Sequence, residues 1–394
     1  MPTQQRTPAR QPDAAEPAPN RAQGPNRARA ETIPTDFPEP RPNRTRYFLD
    51  CAPVRAIMDP HASLGPPSLG LRETAIRWDF ILNTDIDVPV DASAATDRDS
   101  WLALIDQIGA EEGYFQTVGP RHWAMFVDDG ATLVVSFETV ASARARQGQM
   151  PLAHHIAAEK GWSHLCLIAE DLTWFRDTAV YAWFDRLVDD AFFEDFDRVL
   201  FYGAGPMGYA ACAYSVAAPG AQVLALAPFA TLNPEIAGWD DRFKRDRSLD
   251  FTSRYGFAPD MIDGCATLSL VCDPYVRPDA MHAALFHAPH TRLLPTRYAG
   301  PDPEAALARL GILDEAIIQA AEARLTPASF ALLWRKRHGD ATYLKSLLQA
   351  VEATGSRARV VALCENVFRR LRLTRFRKRL LEVTGASTPA PDKA

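Results

Sequence analysis

The stretch VLFYGAGPMGYAACAYSVAAPGAQVLALAP, residues 199–228, decides how the chain is read. Val199 to Tyr202 is wholly apolar, as a strand is when both faces of a parallel sheet are covered. Gly203, Gly205 and Gly208 then crowd one turn. From Met207 to Ala218 the pattern reads as a helix stopped by Pro219-Gly220, and Val223 to Ala227 reads as the next strand. Strand, glycine-rich turn, helix and strand make one βαβ unit.

The alternation extends both ways. Upstream, His122 to Val127, Thr132 to Phe137 and His164 to Ala169 read as strands, with Asp128-Asp129-Gly130 as a turn between the first two. Val180, Trp183, Phe184, Leu187, Val188, Ala191 and Phe192 form the stripe of a helix with one buried face. Downstream, Leu268 to Cys272 is a strand, Asp279 to Phe286 a short helix, and Thr291 to Tyr298 a strand containing Pro295. Such repetition predicts right-handed crossovers and an α/β fold with a doubly wound, mostly parallel sheet. Residues 45–311 are assigned to this domain. Before His122 the pattern is mixed, with a helix at Trp101 to Ile108. Residues 231–264 form an insertion rich in charge and aromatics, which reads equally as a site cover or a solvated excursion.

Residues 312–385 read as a helical C-terminal region: Leu313 to Leu325, Pro327 to Arg337, Thr342 to Ala353 and Arg357 to Leu373. The last of these runs into basic residues from Arg369 to Arg379, and its apolar residues wander around a single helical wheel. A solvated or partner-docking face follows, since a membrane anchor needs a cleaner apolar face. Residues 1–44 hold ten prolines, seven arginines and one aromatic, Phe37. Too little apolar surface is present there to offset ordering, so this segment and residues 386–394 are expected to be disordered.

The turn has two readings. Gly203-x-Gly205-x-x-Gly208 between strand and helix fits a dinucleotide fingerprint, with amides and helix dipole facing a pyrophosphate. "GAGPMG" looks like the loop of many NAD(P)-dependent dehydrogenases, which implies an oxidoreductase with NAD(P) as cofactor. That fingerprint also calls for an acid at the end of the next strand, to hold the ribose. Here the strand ends Leu226-Ala227-Pro228.

The other reading is a nucleophile elbow, G-x-S-x-G, followed later in the chain by the acid and then the histidine. Tyr202-Gly203 and Gly208-Tyr209-Ala210-Ala211 resemble the elbow of a group of α/β-hydrolase-like bacterial proteins, which reads roughly Tyr-Gly-x-Ser-Met-Gly-Gly-Tyr-Ala-Ala. The resemblance covers residues 130–312. It implies an acid at Asp273, in Leu270-Val271-Cys272-Asp273-Pro274, and an oxyanion-hole amide from the loop at Glu138 and Thr139. The departures are specific. Gly205 stands where the serine belongs, Pro206 and Met207 replace small residues, and Tyr298-Ala299-Gly300-Pro301-Asp302 lacks the triad histidine. The expectation is therefore a hydrolase-like scaffold with a vestigial acid and no triad, in a binding or regulatory role. Its candidate binding residues are Gly203, Gly205, Pro206, Met207, Gly208, Glu138 and His282, with His282 more simply a packed side chain.

Composition excludes several classes. A formal charge of −6 gives no basic footprint for nucleic acid. No apolar run reaches the roughly 18 residues a spanning helix needs. The first residues have no apolar leader core, and no Cys-x-x-Cys pair occurs among the six cysteines. These features read as a cytoplasmic chain with buried free thiols. His154-His155 has no third ligand at metal-binding spacing. Glu170, Asp171 and Asp177 follow a strand end, where they face a polar ligand or cap the next helix. An enzyme acting on a glycan or sugar nucleotide rests on fold analogy alone. A PAPS reductase fails because neither its phosphate loop nor its Glu-Cys-Gly motif is present. The sequence names no partner, protein or small molecule.

Overall fold

A computed structural model describes residues 91–385 of the 394-residue chain. The expected tails at 1–44 and 386–394 lie outside the described residues.

The sheet is built from β1 (Gly113–Thr117), β2 (His122–Val127), β3 (Thr132–Thr139), β4 (Ser163–Ala169), β5 (Arg198–Ala204), β6 (Gln222–Leu226), β7 (Thr267–Cys272) and β8 (Thr291–Pro295). Their order across the sheet is β1-β2-β4-β3-β5-β6-β7-β8. β2 runs antiparallel to both β1 and β4, and every other pairing is parallel. β1 escapes the sequence reading because it is an edge strand with a half-exposed, partly polar sequence, GYFQT. β3, β4 and β7 are buried along their whole length, which is why they read as continuous apolar runs.

Side chains alternate between two cores. On β5, Val199 and Phe201 enter one core while Leu200 and Tyr202 enter the other. The first core is closed by the helices Thr178–Asp189 and Pro206–Tyr214 and by the insertion. The second is closed by Leu152–Lys160 and by the C-terminal helices. Leu313, Ile317, Phe330, Leu344, Val367 and Phe376 share that core with Val134, Leu200, Leu224 and Val271 of the sheet. The helical C-terminal region thus covers one face of the sheet.

Several boundaries differ from expectation. The elbow helix ends at Tyr214 and continues as a 3-10 turn, Ser215–Ala217. β8 stops at Pro295, which has no N–H for a ladder, and the chain turns through Tyr298 at φ 66°. The basic C-terminal segment is two helices, Arg357–Leu371 and Thr374–Thr384, broken at Arg372 with φ 55°. That break explains the wandering apolar residues: Val367 and Phe376 each lie on the buried side of their own helix. The five described cysteines are unpaired and buried, and burial raises all five thiols, Cys265 and Cys272 to about 12. None is poised as a thiolate nucleophile.

Candidate functional site

Gly205 ends the strand–turn and N-caps the helix, with φ 56° and ψ −123°. A side chain there would strain the backbone, yet a Cβ would meet no atom within 4 Å. The two flanking glycines have a different cause. A Cβ on Gly203 would lie 2.2 Å from the carbonyl oxygen of Met207, and one on Gly208 would lie 3.2 Å from Pro228 and from the carbonyl oxygen of Gly203. Those two glycines let the helix sit close on the sheet. Gly205 instead shapes the tip of the elbow.

An open cavity of about 520 Å³ lies over that tip, at the C-terminal ends of β5 and β6. Gly205 and Pro206 form part of its floor, and Phe229 and Phe243 part of its wall. Its charged lining is Arg146, Arg242, Asp279, Asp302 and Glu304. No serine, threonine, cysteine, histidine, lysine or tyrosine lines it. In an elbow the amide after the nucleophile supplies one oxyanion donor. Here that residue is Pro206, which has no N–H. The amide of Thr139, at the other expected donor position, donates to Oγ of Ser142 at 2.8 Å.

Asp273 stands at the end of β7 as expected, 2% exposed. Its carboxylate accepts from the backbone amides of Tyr275 (3.0 Å) and Gly300 (2.9 Å). The loop in which a triad histidine would fall therefore closes on the acid with main chain alone.

Two buried charge clusters flank the cavity. Glu138 accepts from Ser142 Oγ, lies 3.5 Å from Nε of Arg146, and is raised by burial. Arg146 also pairs with Glu304. On the other side Arg242 donates to both oxygens of Asp240 (3.0 Å) and to Oδ1 of Asp279 (2.6 Å), and its guanidinium lies 4.4 Å over the ring of Phe229. Burial pushes Asp240 upward, but its bonds from Arg242 hold it below the usual carboxylate range. Asp279 is raised by burial.

His282 completes the second cluster. Its Nδ1 accepts the amide of Ala230 (3.2 Å), so the ring proton is on Nε2, which faces Oδ2 of Asp240 at 3.0 Å. Burial pulls this imidazole down to about 4, so it is neutral at pH 7. It is fully buried, one residue removed from the cavity. Of the candidates named from sequence, Gly205 and Pro206 line the cavity. Gly203, Met207 and Gly208 lie in the strand and helix beneath it, while Glu138 pairs with Arg146 and His282 with Asp240.

Sequence reasoning missed Arg146, Asp240, Arg242, Asp279 as a lining residue, and Glu304. Arg242 and Phe243 belong to the insertion, whose aromatic residues pack around Trp174: Phe243 at 5.1 Å and Phe251 at 5.8 Å between ring centres. Arg176 fastens it further through the carbonyls of Asp250 and Arg254. The insertion is a wall of the cavity, and its signal was the mixture of aromatics with charge. Of the other polar candidates, Asp177 caps the next helix at the amide of Ala179, and Glu170 and Asp171 pair with Arg98 and Arg121. His154 and His155 lie on Leu152–Lys160, and no metal-holding cluster occurs among the described residues.

The sheet order, the lone antiparallel β2 inside it, the elbow after β5 and the acid after β7 agree. The domain has an α/β-hydrolase-like fold. Similar solved structures include an acylaminoacyl peptidase from Pyrococcus horikoshii, with 10% identity over 55% of this chain and 42% of that one, TM-score 0.38. Est1E from Butyrivibrio proteoclasticus shares 14% identity over 53% and 98%, TM-score 0.35. An S-formylglutathione hydrolase from Agrobacterium tumefaciens shares 10% over 54% and 92%, TM-score 0.37. The chain thus spans less than half of the peptidase. No protein-family model and no curated protein matches the chain. Among the described residues no helix is long and apolar enough to cross a membrane.

Proposed function

We propose that this chain is a non-catalytic binding protein on an α/β-hydrolase-like domain, with its ligand taken in the elbow cavity. The observation that carries the reading is Gly205-Pro206 at the elbow tip. One residue removes the nucleophilic hydroxyl and the next removes the oxyanion N–H, so neither attack nor stabilisation of a tetrahedral intermediate has a group to perform it. The cavity lining supports the same reading, since it offers no other nucleophile of the acyl-transfer type. No cofactor is called for.

Nothing in the site favours the NAD(P)-dependent alternative. Gly203 and Gly208 are accounted for by packing, and carboxylates outnumber guanidiniums around the cavity, which disfavours a pyrophosphate. Calorimetric titration with NAD(H) and NADP(H) is expected to give no heat of binding at millimolar cofactor.

The test of the main reading is a fluorophosphonate probe with an activated ester as a second substrate. The full chain should stay unlabelled and leave the ester at its background rate. Labelling mapped to a residue lining the cavity overturns the proposal.

A further inference from the structure

The basic run near the C-terminus gains a second half from another part of the chain. Residues 335–339 read RKRHG and residues 369–379 read RRLRLTRFRKR, with ten lysines and arginines and no acid. Arg370 donates to the carbonyl of His338 at 3.3 Å, which brings the two runs together. The His338 imidazole is held below its usual value, first by desolvation and then by Arg337, Arg370 and Arg335. Of the ten cations only Arg379 meets a carboxylate among the described residues, at Glu352 and Glu382. Asp340, which follows the first run, pairs with Arg309, and Glu365, a turn before the second, pairs with none of them.

Helix building does not account for this charge. Arg369 and Arg370 end the helix Arg357–Leu371, where the dipole favours a cation. Arg375 and Arg377 sit in the first turn of Thr374–Thr384, where the dipole disfavours one and no acid is present. Arg372 and Arg377 both lie over the ring of Phe368, at 5.5 and 5.8 Å, so like charges are held together. Proteins break local rules in this way at functional sites.

Three observations narrow what the face meets. The apolar sides of both helices are spent in the core at Val367 and Phe376, so neither helix is free to lie in an interface by its apolar side. Leu332 is 64% exposed, more than any other large apolar side chain among the described residues. It precedes Arg335 and Lys336 by about one turn, where Pro327–Trp334 runs on into Arg335–Gly339. A soluble polyanion takes the charge but leaves Leu332 in water, and the two runs offer no exposed aromatic ring for base stacking. A protein interface excludes charge from its centre. An anionic bilayer takes both, the cations at its headgroups and the leucine at the acyl boundary.

We propose that this face docks reversibly on the surface of a membrane containing anionic lipid, as a peripheral contact. None of its residues lines the elbow cavity, so the contact holds whether or not that cavity takes a ligand.

Co-sedimentation of the full chain with lipid vesicles tests this. At about 0.1 M salt the chain should pellet with phosphatidylcholine vesicles carrying about one-third phosphatidylglycerol, and about 1 M salt should release it. With phosphatidylcholine alone it should stay in the supernatant. Replacing Arg369, Arg375 and Lys378 together by glutamine removes three exposed cations that hold no partner among the described residues. Each basic residue near such a surface is worth about five-fold, so the triple variant should bind roughly a hundred-fold more weakly. Leu332→Ser should weaken vesicle binding about ten-fold and leave binding of duplex RNA or poly-glutamate unchanged. Should the triple variant not fold, Leu332→Ser and the release by salt carry the test. Equal pelleting with and without phosphatidylglycerol, no pelleting with either, or parent-like affinity in a folded variant overturns the proposal. So does displacement from the vesicles by duplex RNA or poly-glutamate at equal charge, which makes the face a site for a soluble polyanion.

Discussion

Placing a serine at the elbow separates space from chemistry. In Gly205→Ser the added Cβ meets no atom within 4 Å, so no packing term opposes it. What remains is the backbone cost of φ 56°, ψ −123° for a residue with a side chain, roughly 1–3 kcal/mol. Gly203→Ala is the control. Its Cβ would sit 2.2 Å from a backbone oxygen and 2.4 Å from the backbone carbon bonded to it, so the helix or the strand must move, at about 3 kcal/mol or more. Urea denaturation followed by tryptophan fluorescence should therefore rank Gly203→Ala well below Gly205→Ser. The same Gly205→Ser protein should remain unlabelled by a fluorophosphonate. Pro206 still supplies no N–H, the Thr139 amide is still held by Ser142, and Asp273 is still tied to Gly300 with no imidazole between. Efficient labelling at position 205 would falsify this account of the site, because it requires a base and an oxyanion donor that the geometry does not supply. A loss of stability in Gly205→Ser as large as that of Gly203→Ala would refute the claim of open space.

Two further predictions follow from the buried polar groups. His282 titrates near its ordinary 6.5 when unfolded and at about 4 when folded, so between these values the unfolded chain binds more protons and stability falls as pH falls. The contribution is about 2 kcal/mol at pH 5. His122, His154 and His164, all lowered by burial, act in the same direction, while the raised Glu138 and Asp279 oppose it. Urea midpoints at pH 7 and pH 5 measure the slope, and a His282→Asn variant with an unchanged slope would show the assignment to be wrong. Asp273→Asn loses one of the two acceptors for backbone amides and should cost about 1–3 kcal/mol. Limited proteolysis should then cut first within residues 296–302, and a cleavage pattern identical to the parent would count against a structural role for this acid.

The candidate site was legible only where its signal was local. Gly205 and Asp273 could be placed because an elbow and an acid-bearing strand are short patterns read within a few residues. Pro206 carried a second local signal, the missing oxyanion amide, that needed no structure to see. Arg146, Arg242 and Glu304 could not be placed, since each is drawn to the cavity by elements far apart in the chain. His282 was separated from Asp240 by 42 positions, and nothing in the helix that holds it points to a carboxylate in the insertion. The break at Arg372 was invisible for another reason: a left-handed cap is signalled by glycine or asparagine, and here an arginine takes it.

By itself the sequence determined the α/β class, the βαβ unit around residues 199–228 and the absence of a hydroxyl at Gly205. These follow from periodicity and from residue chemistry, which are properties of neighbours in the chain. Only the tertiary structure decided that the insertion walls a cavity and that both its arginines are already shared between carboxylates. It alone also left Oδ2 of Asp279 without a donor. Charge balance and desolvation are set by what surrounds a group in space, and the turn at Gly205 acquires its meaning from that surrounding.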